Sequence, residues 1–119
     1  MKNIIDCPAE RAIYFLGGKW KIRIVFLLYK NKKNRFGEIK KWLKTITQQM
    51  LSKQLKELEI DGLINRKVFQ VVPPKVEYSL TEFGSSLIPI LRSFSDWNKK
   101  NGRTISLKLN KNFEESRIR

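Results

Sequence analysis

One amphipathic segment, residues 48–60, carries polar side chains of the types that recognise nucleic-acid bases. Leu51, Leu55 and Leu58 recur with helical spacing and predict the buried side of a helix. At about 100° per residue, the opposite side presents Gln49, Ser52, Lys53 and Lys56, with Gln48 beside the helix N-terminus. Gln can pair with adenine N6 and N7, Lys can reach guanine O6 and N7, and a helix N-terminus attracts phosphate. Residues 48–56 contain no acid. We therefore predict a helix that reads a nucleic-acid groove, with a solvated helix face as the alternative.

Four further cations are candidates for phosphate contacts, which position a protein on a nucleic acid without reading its sequence. They are Arg35, Arg66, Lys67 and Lys75. For each of them, an ordinary surface charge or a cross-strand pair with Glu77 is the alternative.

Cys7 is the one residue with potential redox chemistry. It precedes Pro8 at a predicted helix N-terminus, where unpaired N–H groups and the helix dipole favour a thiolate, although Glu10 nearby opposes it. We therefore treat Cys7 as a candidate sensor of oxidants or electrophiles. A small apolar residue packed under the helix is the alternative.

The composition excludes most catalytic and metal chemistry. The 119 residues include no His and one Cys, which leaves few ligands for a metal and no His-based acid–base catalysis. No paired carboxylates, nucleophile–base pair or cofactor motif is apparent, so we expect a protein without cofactor or metal that is not an enzyme. The start of the chain lacks a signal-peptide pattern, and residues 24–29 form an apolar run too short to span a bilayer. We therefore expect a cytoplasmic protein with no membrane partner.

The charge balance indicates nucleic acid as the partner. Lys and Arg number 25 against 11 Asp and Glu, which gives a formal charge of +14. This excess is spread along the whole chain, and such a basic domain is typical of nucleic-acid binding.

The predicted elements form a winged helix-turn-helix, a mainly α fold with a small β-hairpin. Periodicity and capping residues predict helices over 8–16, 19–29, 36–44 and 48–60, a hairpin over 63–80 with a Pro73-Pro74 tip, and a last helix over 82–100 that is kinked at Pro89. Thr47 and Thr81 are expected to cap the helices that follow them, and Gly62 to close the reading helix. We assign residues 1–101 to this domain and 102–119 to a basic tail whose fold the pattern does not determine.

The last helix has more apolar positions than one buried face requires, which indicates a partner surface, most simply a second copy of the chain. The candidate interface residues are Phe83, Leu87, Ile90, Leu91, Phe94 and Trp97. The alternative is a tail that folds back over this surface through Ile105, Leu107 and Leu109. We expect Trp20, Trp42 and Trp97 to pack in a core or an interface rather than to stack on single-stranded bases.

Several motifs together resemble the HxlR family of bacterial transcription regulators. The motifs are Cys7-Pro8, Gly18-Lys19-Trp20, Arg35-Phe36, Met50-Leu51, the string from Leu55 to Leu58, Asp61-Gly62-Leu63, the string from Pro73 to Thr81, Phe83-Gly84 and Trp97. The resemblance covers about residues 7–98.

The resemblance implies a homodimeric winged-helix protein that binds double-stranded DNA. It implies that helix 48–60 enters the major groove, that hairpin 63–80 is the wing, and that the first and last helices form the dimer interface. Some members of the family sense oxidants through a cysteine that matches Cys7, often by an intersubunit disulfide. A two-fold dimer would recognise a near-palindromic operator. The resemblance does not indicate a small-molecule effector, the inducing signal or the sign of regulation.

Two other functions share some of these features. A basic RNA- or ribosome-associated module would have the same charge, but the sequence lacks an aromatic motif on a sheet face. A protein-interaction adapter could keep the fold without binding DNA.

Overall fold

The computed structural model describes residues 7–118, with side chains through Lys111. Over this range the chain forms α1 (Pro8–Tyr14), α2 (Lys21–Asn31), β1 (Lys33–Arg35), α3 (Phe36–Leu43), α4 (Gln48–Ile60), β2 (Ile64–Phe69), β3 (Lys75–Leu80), α5 (Glu82–Ser85), α6 (Ile88–Lys100) and α7 (Gly102–Ile118). The predicted class, mainly helical with a small antiparallel sheet, is confirmed. The first six residues of the predicted domain 1–101 and Arg119 of the predicted tail lie outside the described residues.

The chain divides into two compact units. The first ends at Ser86 and contains the helix-turn-helix and the sheet, whereas the second begins at Leu87 and contains α6 and α7. The division of the chain into a domain 1–101 and a tail 102–119 stays a prediction.

The core of the first unit is built from helical stripes around α2, which packs against β1, α3 and β3. Helix α2 contributes Ile24, Val25, Leu27 and Leu28, all at most 2% exposed, as expected for a central helix. Helices α3 and α4, the turn between them and the start of β2 contribute most of the other buried aliphatic side chains of this core: Ile39, Leu43, Ile46, Leu51, Leu55, Leu58, Leu63 and Ile64. Leu16, which follows α1, is also buried. The same stripes that bury these residues direct the polar faces of the helices to solvent.

The sheet has three strands rather than the two of the predicted hairpin. Strand β1 pairs antiparallel with β3, in the order β1-β3-β2, and places Asn34 opposite Tyr78. The sequence analysis predicted no strand between residues 29 and 36, since Lys33-Asn34-Arg35 has neither β-branched residues nor an apolar alternation. Pairing with the neighbouring strand, rather than local propensity, makes this segment a strand.

The prediction of one kinked helix over 82–100 is wrong. The helix breaks between Ser85 and Ile88, and Pro89 lies in the first turn of α6. Proline has no N–H to donate and its ring collides with the carbonyl four residues earlier, whereas both defects are harmless in a first turn.

The other helix ends differ from the predictions by a few residues. Helix α1 ends at Tyr14 rather than at residue 16, α2 is shifted by two residues, and α4 has its predicted bounds. Residues 102–118 form the helix α7, where the sequence pattern had left the fold of the tail undetermined. Its Leu107 and Leu109 are more than 60% exposed, so these two side chains do not fold back as a cover for another helix.

The two ends of the hairpin are tied to the end of α4. Gly62 has φ of +79° and ends the helix, and Thr81 N–H donates to Leu63 O at 3.0 Å. The Thr81 hydroxyl donates to Gly62 O at 2.6 Å and accepts from Gly84 N–H at 2.9 Å. A Cβ at Gly84 would collide with the Leu63 carbonyl. The chain can therefore close here only with glycine at position 84.

We expect Gly84→Ala to lower the free energy of unfolding by about 1–3 kcal/mol, because backbone atoms must move to admit the methyl group. Gly37→Ala is the matched control, since nothing lies within 4 Å of its added Cβ in helix α3. There we expect a change of at most about 1 kcal/mol, in the stabilising direction. Urea unfolding of both variants measures the difference, and equal effects would contradict the close contact at Gly84.

Candidate nucleic-acid interface

Helix α4 separates a buried face from an exposed polar face. The Thr47 hydroxyl accepts from Met50 N–H at 3.1 Å, which is the predicted N-cap. Leu51, Leu55 and Leu58 are at most 2% exposed. The exposed residues of the helix include the five that the sequence singled out, Gln48, Gln49, Ser52, Lys53 and Lys56. We call the four of these that face outward, Gln49, Ser52, Lys53 and Lys56, the reading edge.

The turn that precedes α4 is short and fixed. Lys44 has φ of +63°, and Thr45 N–H donates to Leu43 O at 2.8 Å. Ile46 is 2% exposed and so anchors the turn in the core. Helices α3 and α4 are thereby joined as a helix-turn-helix with little freedom between them.

A groove separates α4 from the wing, which consists of β2, β3 and the loop between them. This cavity of about 370 Å³ is lined by Ser52 and Lys56 from α4 and by Arg66 from β2, with Glu59 also on its wall. Arg66 and Lys67 are exposed on β2. The structure thus brings one predicted wing cation beside the reading edge.

Lys75 differs from the other predicted phosphate contacts. Its Nζ lies 3.5 Å from Glu77 Oε2 and 4.4 Å from the centre of the Phe69 ring, and its side chain is 28% exposed. Lys67 Nζ lies 4.8 Å from the same ring. Lys75 is thus paired with a residue two positions along its own strand, not across strands as the alternative had it, and its phosphate contact stays a prediction.

Arg35 is exposed at the junction of β1 and α3. Its backbone N–H donates to Glu38 Oε1 at 2.7 Å, which caps the start of α3. This bond fixes the backbone of Arg35 at the end of β1, the strand that sequence reasoning did not foresee.

An ion pair between the buried Lys21 and the partly exposed Glu57 joins α4 to α2, and sequence reasoning missed it. Lys21 is 8% exposed, and its Nζ lies 2.8 Å from Glu57 Oε1. The hydrogen bond from Lys21 lowers the pKa of the Glu57 carboxyl below its ordinary value; burial opposes this shift, and the charges of Lys21 and Lys53 add to it. The signal available in the sequence was a lysine one residue after Trp20, at the start of a helix whose next five positions after Arg23 are apolar.

Cys7 lies where the sequence placed it. It is a free, exposed thiol at the N-cap position of α1, and Pro8 begins the helix. Helix α1 buries none of its residues, and Ile13 and Tyr14 are 56% and 65% exposed. The packing alternative for Cys7 is therefore not what the structure shows.

The candidate dimer residues fall into two groups. Ile90, Phe94 and Trp97 are 51%, 57% and 62% exposed and follow one another at helical spacing on α6. Phe83 on α5 is 51% exposed, and its ring lies edge-on to Phe15 at 5.7 Å.

Leu91 is 2% exposed within one chain, so it does not lie on an open surface. Leu87 is half-buried.

The three tryptophans differ in exposure. Trp20 is 9% exposed, with Lys19 Nζ 4.7 Å from its ring centre, and it belongs to the core as predicted. Trp42 and Trp97 are 47% and 62% exposed. The core therefore accounts for Trp20 only.

The fold and the comparisons together define the class of protein. A helix-turn-helix followed by a small antiparallel sheet is the architecture of a winged-helix transcriptional regulator. A family model described as HxlR-like helix-turn-helix matches residues 15–106. The chain belongs to this family of transcriptional regulators, which confirms the resemblance drawn from its motifs.

Three individual proteins illustrate the similarity. The HTH-type transcriptional regulator BH0655 of Halalkalibacterium halodurans is 50% identical over 101 residues, which cover 85% of this chain and 89% of BH0655. The redox regulator HypR in its reduced form superposes with a TM-score of 0.79 at 43% identity, covering 84% of this chain and 98% of HypR. The reduced form of the transcriptional regulator YodB from B. subtilis gives a TM-score of 0.72 at 35% identity, covering 81% of this chain and 94% of YodB.

Among the described residues, no helix is long and apolar enough to cross a membrane.

The Lys21–Glu57 pair predicts a specific pH dependence of stability. Because the pKa of Glu57 is lowered in the folded chain, its contribution is fully present above the ordinary Glu pKa of about 4.3. It is lost as the pH falls through the lower folded value. We expect Glu57→Gln to reduce the free energy of unfolding at neutral pH, and the difference from the wild type to shrink on acidification below about pH 4.

Urea unfolding at a series of pH values measures this difference. Glu59→Gln is the control, because Glu59 is exposed on the same helix and the salt bridges of the described residues do not include it. A pH-independent effect of Glu57→Gln would contradict the role of the ion pair.

Proposed function

We propose that the protein is a sequence-specific regulator that binds double-stranded DNA as a homodimer. The observation that carries this proposal is the exposed, acid-free reading edge of α4 beside the basic wing. In this arrangement α4 enters the major groove, where Gln49 and Lys53 contact base edges. Gln48, Ser52 and Lys56 lie beside them and contact bases or phosphates.

The remaining cations position the protein on the duplex. Arg66 and Lys67 of the wing and Arg35 before α3 are exposed and suited to the phosphate backbone. Lys75 contributes less, because Glu77 already neutralises much of its charge. Binding by such contacts weakens as the salt concentration rises, since bound cations release counterions from the DNA.

In the proposed regulator, two chains dimerise through α6 so that two copies of α4 can bind one DNA duplex. Ile90, Phe94 and Trp97 expose an apolar stripe that water would disfavour on a monomer. A two-fold dimer presents two copies of α4 to a near-palindromic operator, with half-site centres about one helical turn, 34–36 Å, or a small multiple apart.

A basic RNA-associated module is the other binding function with the same charge. Competition between duplex DNA and a structured RNA separates the two, because the proposed helix fits the DNA major groove and not the narrow major groove of A-form RNA. Stronger retention on the RNA would overturn the proposal.

The reading edge is tested by Gln49→Ala and Lys53→Ala. We expect each to lower the affinity for the selected operator by about 1–3 kcal/mol, and to change the affinity for random DNA much less. The operator is obtained first, by selection of bound duplexes from a random pool, and affinities are then measured by fluorescence anisotropy at one fixed salt concentration.

Lys30→Ala is the matched control, because it removes the same charge from the exposed end of α2. Equal losses on operator and random DNA would reduce Gln49 and Lys53 to phosphate contacts. Failure of the pool to yield any preferred sequence would refute sequence-specific binding.

Cys7 is the proposed redox element of the same regulator. Its thiol is exposed and free, and the structurally similar HypR is described as a redox regulator. In the proposed step, two Cys7 thiols of a dimer form one disulfide while a peroxide is reduced, and hydrogen peroxide would leave two molecules of water. The disulfide would shift the two copies of α4 relative to each other and so change the affinity for DNA.

We expect hydrogen peroxide to weaken the binding of the wild-type protein to its operator and Cys7→Ser to abolish this response. Anisotropy measures the response, and non-reducing electrophoresis shows whether a covalent dimer forms and disappears on addition of a thiol reductant. An unchanged response in Cys7→Ser would remove Cys7 from the mechanism, without affecting the proposal that the protein binds DNA.

A further inference from the structure

The face of the three-stranded sheet that points away from α4 carries a cluster of cations. Successive residues of a strand point to opposite faces of a sheet, and residues that are opposite in register share a face. Arg66 lies opposite Tyr78, and both line the groove beside α4. The adjacent row across the strands, formed by Arg35, Glu77 and Lys67, therefore points to the other face. We call this other face of the sheet the outer face.

The outer face has an excess of positive charge. Its charged strand residues, as given by the register of the three strands, are Lys33, Arg35, Lys67, Lys75 and Glu77. These are four cations and one carboxylate on a small area. A surface with charges mainly of one sign raises the local concentration of ligands of the opposite sign. The outer face is therefore suited to an anion.

Direct contacts bring these side chains together. The Nζ atoms of Lys33 and Lys75 lie 4.0 Å and 3.5 Å from the two oxygens of the Glu77 carboxylate. The Nζ atoms of Lys67 and Lys75 lie 4.8 Å and 4.4 Å from the centre of the Phe69 ring. Glu77 and Phe69 thus hold the three lysines of this face beside one another.

Lys33, Arg35 and Lys67 remain accessible to a ligand. The side chain of Lys33 is 68% exposed, and Arg35 and Lys67 are also exposed. The Glu77 side chain is only 16% exposed and lies beneath the lysines that it contacts. A lysine over an aromatic ring keeps its charge, and its ammonium group has three N–H donors to share. An anion that approaches the outer face therefore meets the cations before it meets the carboxylate.

The outer face suits a phosphate backbone better than a protein partner. Protein interfaces usually have an apolar or aromatic centre. Phe69 is the one apolar strand residue on the outer face of the described sheet, and it is half-buried with two lysines over its ring. Three strands about 4.8 Å apart make a face about 10 Å wide, and one strand of duplex DNA has about three phosphates over that length.

Strand β2 makes the outer face continuous with the groove beside α4. Arg66 and Lys67 are neighbours on this strand, one on each face, and β2 lies at the edge of the sheet. A DNA backbone that leaves the groove across this edge passes from Arg66 to Lys67. The DNA must bend toward the wing to follow this path, and the added phosphate contacts offset the cost of bending.

We propose that the outer face binds the phosphate backbone of the duplex that flanks each operator half-site. Lys67, Arg35 and Lys33 contact its phosphates, and Glu77 and Phe69 keep the lysines in place. These contacts read no bases, so they add affinity for any flanking sequence that can bend. The inference rests on the proposed DNA-binding function, and it adds a contact surface on the side of the sheet opposite to α4.

The first test compares two operator duplexes of different length. The short duplex ends at the outer edges of the two half-sites, and the long duplex has about ten more base pairs, one helical turn, of arbitrary sequence on each side. We expect the full chain to bind the long duplex about tenfold more tightly in fluorescence anisotropy. Random duplexes of both lengths correct for the larger number of nonspecific positions on longer DNA.

The outcomes of this comparison separate the two proposals. Equal affinity for the two operator duplexes would overturn the inference, leave the DNA-binding proposal intact and free these cations for an acidic protein partner. No preference for the operator over random DNA at either length would refute sequence-specific binding, and this inference with it.

The second test uses exposed cations on the two faces of the sheet. We expect Lys33→Gln to weaken binding to the long duplex about fivefold and to leave binding to the short duplex unchanged. Arg66→Gln should weaken binding to both duplexes, because Arg66 lies in the groove beside α4. Lys30→Gln is the matched control, since it removes the same charge from the exposed end of α2, and it should affect neither duplex. A Lys33→Gln variant that binds the long duplex like the wild type would overturn the assignment.

The salt dependence of binding counts the added phosphate contacts. The slope of log K against log salt concentration should be steeper for the long duplex by about 0.9 for each added contact. Lys33→Gln should reduce this difference by about two, one contact for each chain of the dimer. The same slope for both duplexes would contradict the added contacts.

Sedimentation with an excess of the short duplex distinguishes flanking DNA from a second DNA molecule. We expect one duplex per dimer, because the outer face is reached by the DNA that leaves the groove beside α4. Two duplexes per dimer would place a separate DNA molecule on the outer face and overturn the assignment to flanking DNA.

Discussion

The position of the wing relative to helix α4 depends on one small junction of hydrogen bonds around Thr81. The Thr81 hydroxyl donates to the carbonyl of Gly62 at the end of α4 and accepts from Gly84 N–H at the start of α5. The Leu63 carbonyl accepts from Thr81 N–H, and it lies so close to Gly84 that no side chain fits there. The hydrogen bonds of Thr81 with Gly62, Leu63 and Gly84 thus join the end of α4 to both ends of the wing. A wing held in this way cannot move far without moving the end of α4.

The buried face of α4 is held by two other kinds of interaction, a leucine stripe and an ion pair. The leucine stripe gives non-directional burial, which fixes the distance of the helix from the core more firmly than its rotation. The ion pair of Lys21 with Glu57 adds a directional contact, because the 2.8 Å distance between Nζ and Oε1 requires the side of α4 that carries Glu57 to face α2. Leucines and ion pair together orient Gln49 and Lys53 outward, so the exposed side chains need no fixed contacts of their own in the unbound protein.

The elements that are defined by residues close together in the chain could be predicted from the sequence. The elements that form only by contact with distant segments could not. Helix α4 was predicted with its observed bounds, since its leucine period lies within it and its cap at Thr47 and its stop at Gly62 lie within two residues of its ends. Strand β1 was missed because its three residues become a strand only through the register with β3. The break before Pro89 shows the same limit, since the pattern located the proline but not whether the chain would kink or start a new helix.

In the candidate site, too, some features follow from local sequence and others depend on the tertiary fold. That Gln49 and Lys53 are exposed follows from the helical period alone. The pairing of Lys75 with Glu77 and the burial of Lys21 depend on the tertiary fold, and periodicity carries no information on either.

Formal charge is therefore a poor measure of the surface available to a polyanion. The chain has a net charge of +14, yet its basic residues serve at least three physical roles. Lys21 pairs with Glu57 of α4, and Lys75 contacts the Glu77 carboxylate and the Phe69 ring within the wing. Lys41 and Lys44 face a cavity on α3. The cations that are both exposed and outside these contacts remain for phosphates, and those of the reading edge and of β2 are among them. The strong basic character of the chain indicated the class of partner, but the structure decides which charges can meet it.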